Sequence, residues 1–413
     1  MRLIHISDLH FGKALYGVSM LEHGDQEVWV ERFLEQVEEL LPDAVVIAGD
    51  IYDRSAPSGE AMTLFGRMLA RLEELKIPVL MVAGNHDSGK RLSFAGEILA
   101  KQNIHIAGVL KEELDHVTIP EKDGSGQVTF WLMPYVFPAQ VAQKLGDDSI
   151  NDYDTAVRRL LARQAIDFSR RNVLVAHQNV TADGREAERG GSESMVGGVG
   201  QIDYTAFDGF DYVALGHIHA SYPVGRPQVR YAGSPLCYHF NETRQPVKGP
   251  LLVELGEKGT EVQITRVQVE PLHVMRELRG TLEEVLAASE GSMGNEYIRI
   301  ILTDQRVTAE TAQVLRERLG SQGSIVMELV SDYREYSAAC SGIGPKAKEQ
   351  KLVEEYFADL YREKKAGAEP EPRDLELFRF AADQVREAEA RGQTEEMFQS
   401  HAKELLKYIL NQG

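Results

Sequence analysis

The sequence is poor in cysteine and has no long apolar run. Cys237 and Cys340 are its two cysteines, and they lie about a hundred positions apart, outside any C-x-x-C pair. Since disulfide frameworks and structural zinc sites need closely spaced cysteines, the sequence excludes both. The longest apolar runs, such as residues 79–83, are far too short for a membrane span or a secretory signal. We therefore expect a soluble, cytoplasmic protein with no membrane partner.

Positive charge is scarce relative to negative charge. The chain has 45 Lys and Arg against 64 Asp and Glu, which gives a formal net charge of −19 at pH 7. Because nucleic-acid binding depends on Lys and Arg that face phosphates, this balance taken alone argues against a nucleic-acid partner. The 43% hydrophobic and 26% charged composition is that of a globular protein, and 413 residues predict two or three domains.

Strands and helices are predicted to alternate over a first domain, residues 1–270. Short runs rich in Val, Ile and Leu predict buried strands at 2–7, 44–48, 79–83, 128–133, 173–176 and 212–215. Apolar residues at three- and four-residue spacing predict helices at 21–41, 59–75, 92–101 and 153–170. Two further β-rich runs, 251–255 and 262–269, are expected as antiparallel strands that complete a second sheet. The pattern predicts an α/β fold with two layered sheets flanked by helices.

The pattern changes after residue 270. Helices are expected at 281–288 and 309–319 and strands at 296–302 and 324–330, which together predict a small α/β domain at 271–340. Residues 341–413 are predicted to be a helical tail, with a proline-containing linker at 366–372. A tail this small cannot easily bury its own apolar faces. We interpret it as a partner-binding region, with packing onto the catalytic domain as the alternative.

Metal-ligand residue types follow five of the predicted strands. They lie in the segments HISDLH, AGDIYD, AGNHD, VAH and ALGHIH and comprise Asp8, His10, Asp50, Asp53, Asn85, His86, Asp87, His177, His217 and His219. Open α/β sheets assemble their sites at the carboxyl ends of their strands. Asp8 and His10 are two positions apart, so in an extended chain their side chains would lie on the same side. We therefore expect these residues to converge on one site.

The motifs differ in how far they exceed chance. For this composition, D-x-H is expected about 0.6 times, G-H-x-H roughly 0.03 times and G-N-H-D roughly 0.001 times. Any single member could be an ordinary loop hydrogen bond or helix cap. The full ordered set indicates a functional site.

The donor set indicates two adjacent metal sites with open positions. Two carboxylates, one amide oxygen and four imidazoles, without thiolate, suit Mn²⁺, Fe²⁺, Zn²⁺ or Mg²⁺, and do not suit a closed structural zinc site. Seven ligands suffice for two ions if one carboxylate bridges. Two ions about 3.5 to 4 Å apart can hold an attacking hydroxide and a phosphate oxygen, which is the chemistry of phosphoester hydrolysis. His86 is left over. With Asp87 orienting its imidazole, it is the candidate that protonates the leaving oxygen or stabilises its charge.

The ordered motifs D-x-H, G-D-x-x-D, G-N-H-D, H and G-H-x-H resemble those of the calcineurin-like metallophosphoesterase superfamily. The longer segments HISDLHFGK, GDIYDRSAP, GNHDS, YAGSPL and PLHVMRELRGTLEEVL resemble the SbcD family of bacterial DNA-repair nuclease subunits, over essentially the whole chain. By position, this resemblance assigns one metal to Asp8, His10 and His219 and the other to Asn85, His177 and His217, with Asp50 bridging. His86 matches the catalytic histidine of the family. Asp53 stands where relatives often carry a histidine near the scissile phosphate, and it is expected to act from beside the ligands.

The resemblance implies a two-metal DNA phosphodiesterase that uses Mn²⁺, with Mg²⁺ as the alternative. The implied activities are an exonuclease on duplex ends and an endonuclease on single strands, in DNA end processing, repair and recombination. His86, Asp87 and Asp53 are then the expected catalytic group. A stand-alone metallophosphoesterase for small molecules or phosphoproteins remains the alternative, because the same metals would serve either activity.

The resemblance also implies partners. DNA would be contacted by the small domain, and an SbcC-type coiled-coil ATPase would bind the helical tail. The chain lacks G-x-x-x-x-G-K-[ST], so we expect it to bind no nucleotide itself. Family members form a homodimer within a heterotetramer, which places the expected contact on helices 59–75 and 92–101 and makes these apolar residues candidates: Phe65, Met68, Leu69, Phe94 and Leu99. Such a complex would be cytoplasmic and nucleoid-associated.

Overall fold

A computed structural model describes residues 1–122, 124, 126–182, 200–244, 248–289 and 294–333. The predicted helical tail, its linker and Cys340 lie outside the described residues. None of the helices in these ranges is both long enough and apolar enough to cross a membrane.

The strands of the described ranges vary from two to seven residues in length. In chain order they are β1 (Arg2–Ile6), β2 (Ala14–Leu15), β3 (Val18–Ser19), β4 (Ala44–Ala48), β5 (Val79–Val82), β6 (Ile104–Ala107), β7 (Asp115–Pro120), β8 (Gln127–Met133), β9 (Asn172–His177), β10 (Val180–Thr181), β11 (Ile202–Asp203), β12 (Tyr212–Gly216), β13 (Pro223–Val224), β14 (Arg226–Tyr231), β15 (Leu251–Glu254), β16 (Gln263–Arg266), β17 (Val274–Gly280), β18 (Glu296–Leu302) and β19 (Ile325–Ser331).

Helices connect most of the longer strands. They are α1 (Asp25–Leu40), α2 (Gly59–Glu74), α3 (Gly89–Leu92), α4 (Gly96–Ala100), α5 (Pro138–Leu145), α6 (Tyr153–Ala162), α7 (Leu282–Ser289) and α8 (Ala309–Gly320), with single 3₁₀ turns at Tyr204–Phe207 and Phe240–Arg244.

Two six-stranded sheets form the main body. The first has the order β16-β15-β1-β4-β5-β6 and the second the order β13-β14-β12-β9-β8-β7. Pairing is parallel from β1 through β6 in the first sheet and from β8 through β9 and β12 to β14 in the second. Parallel strands covered on both faces need apolar side chains throughout, which explains the continuous Val, Ile and Leu runs. The predicted layered α/β fold is confirmed.

Apolar side chains fill the space between the two sheets and cover their outer faces. Val46 and Leu80 of the first sheet pack in one cluster with Phe130 and Val175 of the second. Separate clusters join the other face of the first sheet to α1 and α2 and the other face of the second sheet to α5 and α6. The sandwich therefore holds its central strands rigidly, and with them the loops that follow their carboxyl ends.

The two β-rich runs near residue 260 are antiparallel as expected, but the sheet predicted for them is wrong. They form β15 and β16, and β15 pairs with β1, where Leu3 lies opposite Val253. These strands therefore extend the first sheet, not the second. Alternation along a strand shows which of its faces is buried but does not identify its neighbour, so the pattern could not distinguish the two sheets.

Three of the predicted helices are shorter than expected, and the one predicted at 21–41 begins only at Asp25. The helix predicted at 92–101 is divided into α3 and α4, because Ala95 between them adopts a left-handed backbone with φ of 59°. The helix predicted at 153–170 ends at Ala162, and the chain turns back before β9. By contrast, α2 follows its prediction closely, because Ser58 caps its first turn by accepting a hydrogen bond from Ala61 N at 3.2 Å.

The residues predicted for a dimer contact divide into core and surface. Phe65 and Met68 are buried in the cluster beneath α2, and Leu69 and Leu99 pack partly against it. Phe94 is different, because 82% of its surface is exposed. Of the five candidates, Phe94 is thus the one whose side chain the described fold leaves open to a second molecule.

A third, three-stranded parallel sheet follows the sandwich. Its order is β17-β18-β19, and it carries α7 and α8 against a small core of its own that includes Ile298, Ile300 and Leu315. The predicted helices and strands of residues 281–330 coincide with α7, β18, α8 and β19, and β17 is an addition. This sheet meets the sandwich at Asp25, the first residue of α1, whose carboxylate accepts hydrogen bonds from His273 Nδ1 at 2.8 Å and from the Tyr297 hydroxyl.

Candidate metal centre

The structure brings the predicted ligands together at one edge of the sandwich. Asp8 and His10 follow β1, Asp50 follows β4, Asn85 follows β5, His177 ends β9, and His217 and His219 follow β12. Both sheets contribute, because their central parallel strands end at the same edge. All of these residues are buried except Asn85, which is exposed and opens the cluster to solvent.

The loops after β1, β4 and β12 turn sharply. Asp8, His10 and Asp50 have φ angles of 54°, 45° and 50°, and His217 has a φ of 107°. Such left-handed backbone is costly for a residue with a side chain and is often found at functional sites. The expectation that Asp8 and His10 converge along an extended chain is therefore wrong. They converge through a turn, which Asp8 N and His10 N stabilise by donating to the carbonyl oxygens of Gly49 and Asp50 at 3.0 Å each.

Three glycines allow the strand ends to approach this closely. A Cβ at Gly49 would collide with the His177 imidazole, and one at Gly84 would collide with the Asp50 carboxylate. At Gly216 the colliding atom would be the carbonyl oxygen of Ala48. The glycine that begins each of the motifs G-D, G-N-H-D and G-H-x-H is thus required for the close packing of the cluster.

The first group consists of Asp8, His10 and His219, whose potential ligand atoms all lie within 4.8 Å of one another. The Nε2 atoms of His10 and His219 are 3.2 Å apart, and both side chains are buried. His219 Nδ1 lies 3.2 Å from Glu242 Oε1 and donates to it, so His219 Nε2 carries a lone pair. This lone pair points toward His10, an arrangement that a shared cation would stabilise.

The second group consists of Asn85, His177 and His217. Asn85 Oδ1 lies 3.0 Å from both His177 Nε2 and His217 Nδ1. His177 Nδ1 donates to the carbonyl oxygen of Ala48 at 2.8 Å, which leaves the lone pair of neutral His177 on Nε2, facing the amide oxygen. In the neutral form of His177 these two acceptors would repel each other, and a cation or a proton between them removes the repulsion.

Asp50 lies between the two groups. Its Oδ2 is 3.6 Å from His10 Nε2 and 3.4 Å from His177 Nε2, while its Oδ1 accepts a hydrogen bond from His86 N at 2.9 Å. One carboxylate oxygen thus faces both groups. This is the position that a bridging ligand needs.

The electrostatics of the cluster favour bound positive charge. Burial raises the pKa of the Asp8 carboxyl, against the opposing effect of His177 and His219. Burial lowers the pKa of His217 to about 3. Burial also disfavours the charged form of His177, but the Asp50 carboxylate outweighs it and raises the pKa of His177 to about 9. Buried carboxylates surrounded by imidazole nitrogens therefore stabilise a cation among them, and the donor set fits divalent ions.

His86 lies beside the cluster with 30% of its side chain exposed. Its Nδ1 is 2.9 Å from the carbonyl oxygen of Asp53 and donates to it. Its Nε2 is 4.0 Å from Asp50 Oδ2, and its ring meets that of His10 edge to face with 4.8 Å between the centroids. The ring is thus held by the backbone, with Nε2 turned toward Asp50.

The expectation that Asp87 orients His86 is wrong. The Asp87 carboxylate accepts hydrogen bonds from three backbone N–H groups, those of Ile51 at 3.1 Å, Tyr52 at 3.0 Å and Gly84 at 2.9 Å. Burial and the charge of Asp50 raise the pKa of Asp87 to about 6, despite these backbone donors. Asp87 therefore joins the loops after β4 and β5. The carbonyl of Asp53, not the carboxylate of Asp87, orients the His86 ring.

The carboxylate of Asp53 also lies apart from the centre. Its Oδ1 pairs with Lys13 Nζ at 2.7 Å and is 3.7 Å from His10 Nδ1. The structure thus places the Asp53 carboxylate next to the candidate ligand His10.

Sequence reasoning missed several residues that contact the candidate ligands. Glu242 is 1% exposed and faces His219, and Lys248 Nζ contacts its other oxygen at 2.7 Å. Burial disfavours the charged form of Glu242, but Lys248 and His219 hold its pKa well below the usual range. Gln26 donates through Nε2 to the carbonyl oxygen of His10 at 2.8 Å. Neither Glu242 nor Gln26 belongs to a strand-end motif, so no local signal distinguishes them from surface residues.

Comparison with known proteins agrees with this geometry. The family model described as calcineurin-like phosphoesterase matches residues 1–221. A protein from Staphylococcus saprophyticus subsp. saprophyticus, named as the SbcD subunit of the nuclease SbcCD, is 33% identical over 69% of this chain and 73% of its own length. The protein of the same name from Staphylococcus epidermidis is 32% identical over 69% of this chain and 74% of its own.

One solved structure has a weak similarity to this chain. A crystal structure of the Thermus thermophilus protein TT1561 aligns with 65% of this chain and 99% of its own, at 13% identity and a TM-score of 0.37, which is too low to support a conclusion. The family model and the two relatives suffice. The chain belongs to the calcineurin-like phosphoesterases and, within them, to the family of the SbcD subunits.

Proposed function

We propose that this chain is the nuclease subunit of an SbcCD-type complex and hydrolyses DNA phosphodiester bonds with two divalent ions. One observation carries the proposal: Asp50 Oδ2 lies within 3.6 Å of His10 in the first group and of His177 in the second, and His86 lies beside it. The name of the two staphylococcal relatives supports DNA as the substrate.

The ligand roles follow the two groups. Asp8, His10 and His219 would hold one ion, Asn85, His177 and His217 the other, and Asp50 both. We propose Mn²⁺ as the ion, with Mg²⁺ as the alternative, because the family resemblance implies it; the mixed oxygen and imidazole donors suit Fe²⁺ and Zn²⁺ as well. When bound, the ions supply positive charge that stabilises the phosphate in its transition state and makes a water molecule a better nucleophile.

The side chains around the ligands then have distinct tasks. The Asp53 carbonyl holds His86 Nδ1, so that His86 Nε2 can deliver a proton to the leaving oxygen or stabilise its charge. The carboxylate of Asp53, itself paired with Lys13, faces the outer nitrogen of the ligand His10. Asp87 keeps the loop that carries Asn85 and His86 against the loop that carries Asp50.

The finer activities are proposed from the same family. They are exonuclease action on duplex ends and endonuclease action on single strands, in DNA end processing, repair and recombination in the cytoplasm, near the nucleoid. We further propose that residues 271–340 form a domain that caps DNA, that 341–413 bind an SbcC-type ATPase, and that two copies of this chain join in a heterotetramer.

The net charge of −19 bears on the partner. Two divalent ions beside two aspartates leave the site locally positive within an acidic chain. Phosphate affinity elsewhere depends on Lys and Arg, which are outnumbered in this chain. We therefore propose that the isolated chain binds duplex DNA weakly and in a salt-sensitive way, and that the ATPase partner and a second copy supply most of the affinity.

The test is a cleavage assay on the purified chain, with and without an SbcC-type partner. End-labelled duplex and single-stranded DNA would be incubated with Mn²⁺, with Mg²⁺ and with EDTA, alongside p-nitrophenyl phosphate as a small-molecule substrate. We expect DNA products with Mn²⁺ and none with EDTA. Hydrolysis of the small substrate without DNA cleavage in any mixture would contradict the proposal and favour a stand-alone phosphoesterase.

A further inference from the structure

The imidazole of His219 is held differently from those of its neighbours. His177 and His86 each donate through Nδ1 to a backbone carbonyl oxygen. His219 Nδ1 instead faces a carboxylate oxygen, Oε1 of Glu242, at 3.2 Å. Either partner fixes the tautomer of a ring, but a charged carboxylate strengthens the electron donation of the opposite nitrogen more than a neutral carbonyl does.

The side chain of Glu242 is a carboxylate that is almost completely buried, which is unusual. The residue is 1% exposed and lies on the 3₁₀ turn Phe240–Arg244, outside the strand-end motifs of the sequence. Its Oε2 also accepts a hydrogen bond from Tyr238 N at 3.1 Å. Burying a carboxylate is costly unless it is paired and hydrogen-bonded, so its presence behind a ligand calls for a function.

Lys248 supplies the pairing and extends it to the backbone. Its Nζ lies 2.7 Å from each of three acceptors, namely Glu242 Oε2, Ser234 Oγ and the carbonyl oxygen of His219. An ammonium group has three donors, and all three are used in this arrangement. The Glu242 and Lys248 pair therefore holds His219 at two points, the ring nitrogen and the backbone carbonyl.

We propose that Glu242, held by Lys248, is a positioning residue that fixes the Nδ1–H tautomer of His219 and strengthens Nε2 as a metal ligand. The proposal rests on the proposed function, because it assigns His219 to the ion held by Asp8 and His10. The proposal predicts that the two ion sites respond differently to substitution. His219 in the first group is held by a buried ion pair that substitution can remove. His177 in the second group is held by a backbone carbonyl oxygen of β4.

The decisive variant is Glu242→Gln, which keeps the shape of the side chain and removes its charge. We expect the affinity for one Mn²⁺ ion to fall about 10- to 100-fold, as for other carboxylates that support metal-ligating histidines, and the other ion to be unaffected. Isothermal titration of ion-free protein with Mn²⁺, and counting of bound ions at controlled free Mn²⁺, would measure this. Lys248→Met should act in the same direction, and the double variant should lose little more than either single one.

A matched control is available at Glu121. This residue is also buried, at 8% exposure, and its carboxylate pairs with Arg171 and with the Met1 amino group at 2.9 Å, away from the cluster. Glu121→Gln should therefore retain both ions at wild-type affinity. In addition, cleavage by Glu242→Gln should recover when Mn²⁺ is raised about 10- to 100-fold, because a weakened site fills again at higher concentration. A merely structural defect would show no such rescue.

Three outcomes separate the inference from its premise. If Glu242→Gln binds two ions as tightly as the wild type, the inference is overturned and the proposed function stands. If the wild type binds fewer than two ions, the proposed function fails first. If Glu242→Gln does not fold in EDTA, as judged by its urea midpoint, Glu242→Asp decides. The aspartate keeps the charge, but its shorter side chain places the charge farther from His219. Lower affinity for the first Mn²⁺ ion would then support the inference, and unchanged affinity would overturn it.

Discussion

At the scale of single residues, the partner of each side chain decides its role. Asp53 and Asp87 are both acidic residues of strand-end motifs, yet one faces Lys13 and His10 while the other accepts from three backbone N–H groups. Sequence motifs predicted which residues would gather, because the chemistry of metal ligands restricts their types. They did not predict these partners, since residues 51 and 87 are distant in sequence and meet only after the fold has formed.

The different partners of His86 and Asp87 lead to a prediction for these two adjacent residues. His86→Ala should abolish DNA cleavage and leave the number of bound Mn²⁺ ions unchanged, because His86 lies beside the ligand groups and is held by a carbonyl. Asp87→Asn should instead lower the free energy of unfolding by about 1–3 kcal/mol, because an amide cannot accept from three buried N–H groups as a carboxylate does.

Cleavage products, bound ions and urea unfolding of the two variants provide the measurement. His23→Ala, which removes an exposed histidine, is the control for loss of an imidazole. A His86→Ala protein that still cleaves DNA would remove the proposed proton donor. An Asp87→Asn protein of unchanged stability that has lost cleavage would return Asp87 to a direct role in the reaction.

At the scale of elements, the bounds of a strand were predicted more precisely the more completely the strand is buried. The strands β1, β4, β5, β9 and β12 are enclosed on both faces, so their continuous apolar runs predicted them almost to the residue. Strands with mixed patterns were missed, such as β7 at a sheet edge, with its alternating exposed positions, and β17. The loops after the buried strands carry the site, and their left-handed turns follow from contacts with other strands, which no local pattern encodes.

A prediction at this scale concerns Gly216, the last residue of β12. Gly216→Ala would force a Cβ against the carbonyl oxygen of Ala48 and within 2.8 Å of His177 Nδ1, so these groups must separate. We expect the free energy of unfolding to fall by about 1–3 kcal/mol and Mn²⁺ binding to weaken. Gly66→Ala in α2 is the matched control, because its Cβ would meet no atom within 4 Å.

Urea unfolding and Mn²⁺ titration of both glycine variants would measure these effects. The control should be stabilised by about 0.5–1 kcal/mol, since alanine is the better helix former. If Gly216→Ala matches the wild type in both measurements, the close approach of β12 to β4 is not required for the site.

At the scale of the whole molecule, the candidate ligands join the two sheets. Asp8 and His10 come from the first sheet and His219 from the second, while Asn85 comes from the first sheet and His177 from the second. A buried hydrogen bond of 2.9 Å between His5 Nδ1 in β1 and the Tyr212 hydroxyl in β12 links the same sheets behind the site. Each ion would therefore be held from both layers of the sandwich, so the site exists only when the two sheets are packed together.

The location of bound ions tests the two-ion site most directly. Crystals of the full chain grown with Mn²⁺ would be measured by anomalous diffraction at the manganese edge. We expect two peaks about 3.5 to 4 Å apart on either side of Asp50, one against Asp8, His10 and His219 and the other against Asn85, His177 and His217. A single peak, or manganese bound only away from these residues, would contradict the two-ion site.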